Sequence, residues 1–173
     1  SFGLWSQTAE LKLNISNSPS SSSVYKHNLK YLIRFPDYKR FETKRITEIK
    51  VDKLDDIAIN EKLNADFIKI DIEGAELDAF KGGLNFIKEN IIGIESEVSF
   101  VEKNINQPLF AEVDTYVRNN LGFELFDINQ VYWKYNKGQK YGSLKGRIIF
   151  ADTIYFRPID KLPSWLNGMS KQK

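Results

Sequence analysis

The sequence predicts an α/β protein with a mostly parallel sheet and an antiparallel final strand. From residue 67 to residue 128, short apolar runs alternate with helix-like segments, the pattern a parallel sheet needs because each crossover requires a long connection. The tail at 147–157 carries Ile148-Ile149-Phe150 and Thr153-Ile154-Tyr155-Phe156, suited to a closing antiparallel strand. A chain of 173 residues fits one domain (1–173) that buries roughly 70% of its unfolded surface, and no internal boundary or repeat interrupts it.

Taken in order, Gly3 to Ile15 reads as two short strands around a turn at Gln7-Thr8-Ala9, with Leu11, Leu13 and Ile15 alternating against Lys12 and Asn14. Residues 14–23 form a polar loop ending in Ser20-Ser21-Ser22-Ser23. A helix is predicted over 25–34, stopped by Pro36, then an exposed strand over 41–51. Acids at Asp52, Asp55 and Asp56 cap a helix reaching about Leu63. Strand 67–72 leads to helix 75–81, closed by Gly82-Gly83 as a terminator, and to a second short helix over 84–90. Strand 91–100, a loop through Pro108, helix 110–121 and strand 123–128 after Gly122 complete the series.

Composition narrows the function. A net charge of +2 without a basic stripe argues against nucleic acid as the main partner. No apolar run approaches the roughly 20 residues of a membrane span, and no signal pattern opens the chain. The lack of cysteine removes disulfide and thiol chemistry and fits a reducing, cytoplasmic setting. The chain opens at Ser1 and its only methionine is Met169, which suggests a piece of something longer.

The most informative stretch is Asp66-Phe67-Ile68-Lys69-Ile70-Asp71-Ile72-Glu73-Gly74-Ala75-Glu76. It has the form of a buried strand that delivers carboxylates to its carboxyl end, turns sharply and enters a helix. In open α/β sheets that end is where ligands bind. Alternation puts Lys69, Asp71 and Glu73 on one face, and on the next strand Glu95 and Glu97 oppose Ile94, Ser96 and Val98. If the two strands are neighbours, the carboxylates crowd together and at least one pKa rises, giving a proton acceptor near neutrality. The same cluster could hold a hard cation such as Mg²⁺, although no metal is assigned here. Plainer roles compete: Asp71 or Glu73 capping the next helix, Lys69 pairing with Glu95, and Glu76 as an ordinary first-turn acid. His27, the only imidazole, is a general base or substrate contact if it reaches the site and otherwise a surface residue. The serine run could offer hydroxyls to an anion, and Tyr132, Trp133 and Tyr135 could line a ring pocket or seal a sheet.

With these residues assembled, the chain resembles the FkbM family of S-adenosylmethionine-dependent methyltransferases. The likeness rests on Leu54-Asp55-Asp56, the 67–76 motif, Gly82 to Leu84, Ile94-Glu95-Ser96-Glu97-Val98 and Ala151-Asp152-Thr153-Ile154-Tyr155-Phe156. Gly3-Leu4-Trp5, the serine run and Phe35-Pro36 add to it. The resemblance implies a Rossmann-like class I methyltransferase fold, S-adenosyl-L-methionine as cofactor, and O-methylation of a sugar, glycan or other small-molecule hydroxyl. It also implies Asp71 as the proton acceptor, Glu73 as a second catalytic-site residue that contacts the substrate or the cofactor's amino group, and Asp71 and Gly74 beside the cofactor. Glu95, Glu97 and His27 are the candidates for the acceptor side. The family's glycine-rich loop after its first strand is missing, so the chain resembles the carboxyl-terminal portion of the fold without its N-terminal strands.

Two other functions stay open. Asp71-Ile72-Glu73 could be the acidic pair of a metal-dependent nucleotide-sugar enzyme, or the shortened fold could serve as a non-catalytic interaction module. A P-loop ATPase is excluded because no Gly-x-x-x-x-Gly-Lys-Ser/Thr run exists. The apolar strand at 67–72 would invite association if left at an edge, so a second copy or an additional segment is expected to cover it. The loops 102–108 and 136–146 carry no readable code for an acceptor.

Overall fold

A computed structural model describes residues 3–137 and 145–162. Residues 138–144 of the 136–146 loop, and Met169, lie outside them. The elements run β1 Gly3–Leu4, β2 Ala9–Ser16, α1 Leu29–Leu32, β3 Thr43–Asp52, α2 Leu54–Asn60, β4 Phe67–Ile70, α3 Glu76–Gly82 and α4 Leu84–Asn90, then β5 Gly93–Ser99, α5 Phe110–Tyr116, β6 Glu124–Trp133 and β7 Arg147–Phe156. They form a mixed α/β structure with two sheets, ordered β1-β3-β2 and β4-β5-β7-β6.

The mostly parallel expectation is met only in part. β4 pairs with β5 in parallel, while β7 is antiparallel to both β5 and β6. Strands β4, β5 and β6 therefore share one direction and β7 opposes them. Because β7 inserts between β5 and β6, two of the three ladders are antiparallel. The small sheet is also mixed: β1 runs parallel to β3, and β2 antiparallel to it.

One face of the larger sheet carries the core. Ile70, Ile94, Val98, Ala151 and Tyr155 are buried with Leu77, Phe80, Phe86, Ile87 and Val113 from α3, α4 and α5, so these helices lie on one side of the sheet. The alternate residues of β4 and β5, Phe67, Lys69, Glu95 and Glu97, face the other way and are half-buried or exposed, as the two-residue period requires. A second cluster, Phe35, Val101 and Ile149 with Tyr31, Trp133, Tyr135 and Phe150, covers part of that other face where β6 and β7 meet.

Several boundaries differ for identifiable reasons. The predicted helix at 25–34 shrinks to α1. The Asn28 side chain accepts the Tyr31 amide as an N-cap, while Asn28 N–H donates to the Lys103 carbonyl, tying the preceding residues to another segment. β2 extends into the predicted loop as far as Ser16, and β6 extends to Trp133 through the polar Asn129-Gln130 because β7 supplies its ladder. Gly82 does more than end a helix: a Cβ there would collide with the Trp5 carbonyl oxygen, so the bare backbone admits the end of β1 against α3. Among the described residues no helix is long and apolar enough to cross a membrane.

Candidate functional site

The site is built on the turn between β4 and α3. Glu73 and Gly74 both take left-handed backbone conformations, with φ of 54° and 105°. For glutamate this region is disfavoured, so the surroundings must hold it. Three side chains do so. Ser23 Oγ donates to the Glu73 carbonyl at 2.7 Å, Asn104 Nδ2 donates to the same oxygen at 3.0 Å, and Glu76 Oε1 accepts the Ile72 and Gly74 amides at 3.0 and 3.1 Å. The motif's last glutamate therefore closes the turn from below. It is buried, which pushes its carboxyl up to about 7.

The turn aims Asp71 and Glu73 into a cavity of about 340 Å³, also lined by Ser20, Ser21, Arg40, Phe41, Glu97, Lys103, Trp133 and Phe150. A neighbouring cavity of about 260 Å³, walled largely by Leu4, Leu13, Val24, Ile49, Val51 and Ile72, shares Asp71, Glu73 and Ser20 with it. The two carboxylates thus stand on a wall between a polar chamber and an apolar one.

Lys103 is the residue the sequence did not reveal. It is only 4% exposed, donates to Glu97 at 2.8 Å, lies 3.5 Å from Glu73, and sits 4.8 Å from the Phe150 ring centre. Burial works against its charge, but Glu97 and Glu73 outweigh it and hold the ammonium above its ordinary value. Glu73 shares that one lysine with Glu97. Its own burial dominates, and its carboxyl is raised, with Glu97 and Asp71 adding to the effect. In sequence Lys103 sits in a polar loop and looks solvated; only the approach of two carboxylates from other elements makes it a buried cation.

The remaining candidates separate. Glu97 joins the cavity, whereas Glu95 pairs with Lys69 at 2.6 Å, directly opposite it in the β4–β5 register, and lines neither chamber. Gly74 also lines neither; its lack of a side chain makes room for Asn104 and Gln107. His27 is 4% exposed and both ring nitrogens are engaged, Nε2 with Ser16 Oγ at 2.7 Å and Nδ1 with Asn104 Oδ1. Since Asn104 Nδ2 donates to Glu73, its Oδ1 must accept, which places a proton on His27 Nδ1; in the neutral ring Nε2 then accepts from Ser16 Oγ. Burial lowers the His27 pKa in keeping with that form. The serine, histidine and asparagine mimic a nucleophilic triad, but all three are buried and they brace the Glu73 turn. Of the aromatics, Trp133 reaches the polar cavity and Tyr135 stacks on Phe35. The loop at 102–108, unreadable in sequence, supplies Lys103 and Asn104.

A mixed α/β fold with carboxylates presented at the carboxyl end of β4, beside a ligand-sized cavity, is consistent with a methyltransferase-like fold. The family described as Methyltransferase FkbM domain matches residues 5–125. The chain belongs to that family. A search of curated proteins and a search of solved structures returned no match.

Proposed function

We propose that the chain carries an S-adenosylmethionine-dependent O-methyltransferase site in which Glu73 receives the proton of a sugar or other small-molecule hydroxyl. The observation that carries this is Glu73 itself: a half-buried carboxylate, raised by burial, held at a strained turn on the wall of a ligand-sized cavity. A hydroxyl is a poor nucleophile until a base takes its proton, and a base with an elevated pKa does so more effectively near neutrality. Lys103 offsets part of the repulsion between Glu73 and Glu97 while leaving Glu73 able to change charge.

The residues present fit the cationic end of the cofactor that the family implies. Asp71 is an exposed carboxylate without an ion pair among the described residues, on the wall common to both cavities. Asp71 and Glu73 would hold that end, and the group supplies an electrophilic methyl when bound. Trp133, Phe41 and Phe150 give the polar cavity the apolar faces that suit a sugar ring. The metal-dependent alternative is less well supported. Among the described residues no three His, Asp or Glu side chains converge as a ligand set, and an ammonium already sits between Glu73 and Glu97.

The test is release of S-adenosylhomocysteine from S-adenosylmethionine with a panel of glycosides. Glu73→Gln is expected to lower turnover by about 10²–10⁴-fold, the usual contribution of a general base. Asp71→Asn is expected chiefly to weaken cofactor binding, read by calorimetric titration. Full turnover in Glu73→Gln would remove the assigned base.

A further inference from the structure

We infer that the 340 Å³ cavity takes an acceptor bearing an anionic group, a carboxylate or a phosphate, and that Arg40 binds it; the acceptor role of the cavity rests on the proposed methyl transfer. Arg40 lies just before β3, and its guanidinium carbon stands 4.6 Å from the Phe41 ring centre and 4.9 Å from that of Trp133. Both rings and Arg40 line the cavity. Stacking occupies the flat face of a guanidinium and leaves its edge of N–H donors free for a planar or tetrahedral oxyanion.

Among the described residues that edge is unoccupied. Arg40 makes no ion pair, and its side chain donates no hydrogen bond among the described residues. Residues 1–2, 138–144 and 163–173 contain no aspartate or glutamate, so no acidic side chain of the chain is left to supply a partner. The cavity's other cation, Lys103, is already taken by Glu97 and Glu73. One cation and one carboxylate, Arg40 and Asp71, therefore line the same chamber without pairing with each other. A ligand that spans them places its anion at Arg40 and its hydroxyl toward Asp71 and Glu73. A neutral sugar offers that edge hydroxyl oxygens alone, whereas a carboxylate or phosphate adds the opposite charge and two acceptors matched to the fork.

Calorimetric titration of the full chain with three probes tests this: methyl β-D-glucuronoside, glucose 6-phosphate and methyl β-D-glucoside. At least one anionic probe is expected to bind on the order of tenfold more tightly than the neutral one, with the advantage shrinking as salt is raised. A preference for the glucuronoside alone assigns a carboxylate, and for the phosphate alone a phosphomonoester. Arg40→Gln is expected to abolish the preference, and Arg40→Lys to retain part of it, because charge survives without the fork. A merely structural Arg40 would lower the Tm of both variants while leaving the preference intact. Equal binding of all three probes, binding of none, or a preference that survives in a folded Arg40→Gln overturns the inference. Because binding is read without a methyl donor, these outcomes are distinct from a failure of methyl transfer.

Discussion

Glu76 makes the energetics of the site measurable at a single residue. Its carboxylate accepts two amides of the β4–α3 turn, yet burial raises its pKa from 4.5 to about 7. Between those values the folded chain holds a proton that the unfolded chain has released, so stability from this group falls as pH rises through the interval. Glu76→Gln keeps the accepting oxygen and removes the titration. The variant is expected to gain on the wild type from about pH 5 to about pH 7, by on the order of 3 kcal/mol at most. Urea unfolding at several pH values reads this directly, and a constant difference across the range would contradict it. The same chemistry explains why the motif needs glutamate at its end. A shorter acid could not reach back to both amides, and an apolar residue would leave them buried without partners.

At the scale of elements, one side chain substitutes for a helix cap. Arg157 follows β7 and donates to the carbonyls of Ile87 and Lys88 in α4, of Ile91 just beyond it, and of Leu121 after α5, with its guanidinium carbon 4.4 Å from the Phe123 ring centre. Carbonyls at helix ends lack partners within the helix, and a cation there also meets the negative end of the dipole. Arg157→Ala is expected to cost about 2 kcal/mol in urea unfolding, since charged donors to several acceptors are lost at once. A loss indistinguishable from that of a surface arginine would show that water replaces it freely. The sequence could not reveal this contact because its partners lie 36 to 70 residues away. What was legible is what is local, the strand-turn-helix at 67–76 and the opposite faces of β5; the Lys69–Glu95 pair, 26 residues apart, was open only as one of several alternatives. The order of strands was not legible, because helix and strand alternate along the chain whereas β7 inserts itself last, between β5 and β6. The site was half legible for the same reason. Asp71 and Glu73 come from one short motif, but Lys103 and Arg40 acquire their roles from side chains far away in sequence.

For the molecule as a whole, the uncovered face of the larger sheet matters most. β4 pairs only with β5, so its outer edge presents unpaired amides and carbonyls among the described residues. Beside that edge runs a row of exposed aromatics: Phe67 on β4, Phe156 on β7 and Phe126 on β6, at 45%, 39% and 75% exposure. Phe67 and Phe126 each lie against Phe156, with ring centres 6.4 and 5.3 Å apart, and Gly93 between Phe67 and Phe156 leaves room for the contact. Exposed apolar side chains in a continuous row mark a surface that binds something, whereas scattered ones do not. Lys69 on the same face opposes edge pairing by its charge, but Glu95 neutralises it. The purified chain is therefore expected to self-associate through this face, with a mass in sedimentation equilibrium above the 20.1 kDa of one copy. Phe67→Lys with Phe126→Lys is expected to return it to a single copy with little change in Tm, because both rings are partly solvated already. Each phenylalanine removed withdraws apolar area worth about 2 kcal/mol when fully buried, enough for two of them to decide a modest association. A wild-type chain that sediments as one copy at high concentration would mean that the row of aromatics serves a different occupant.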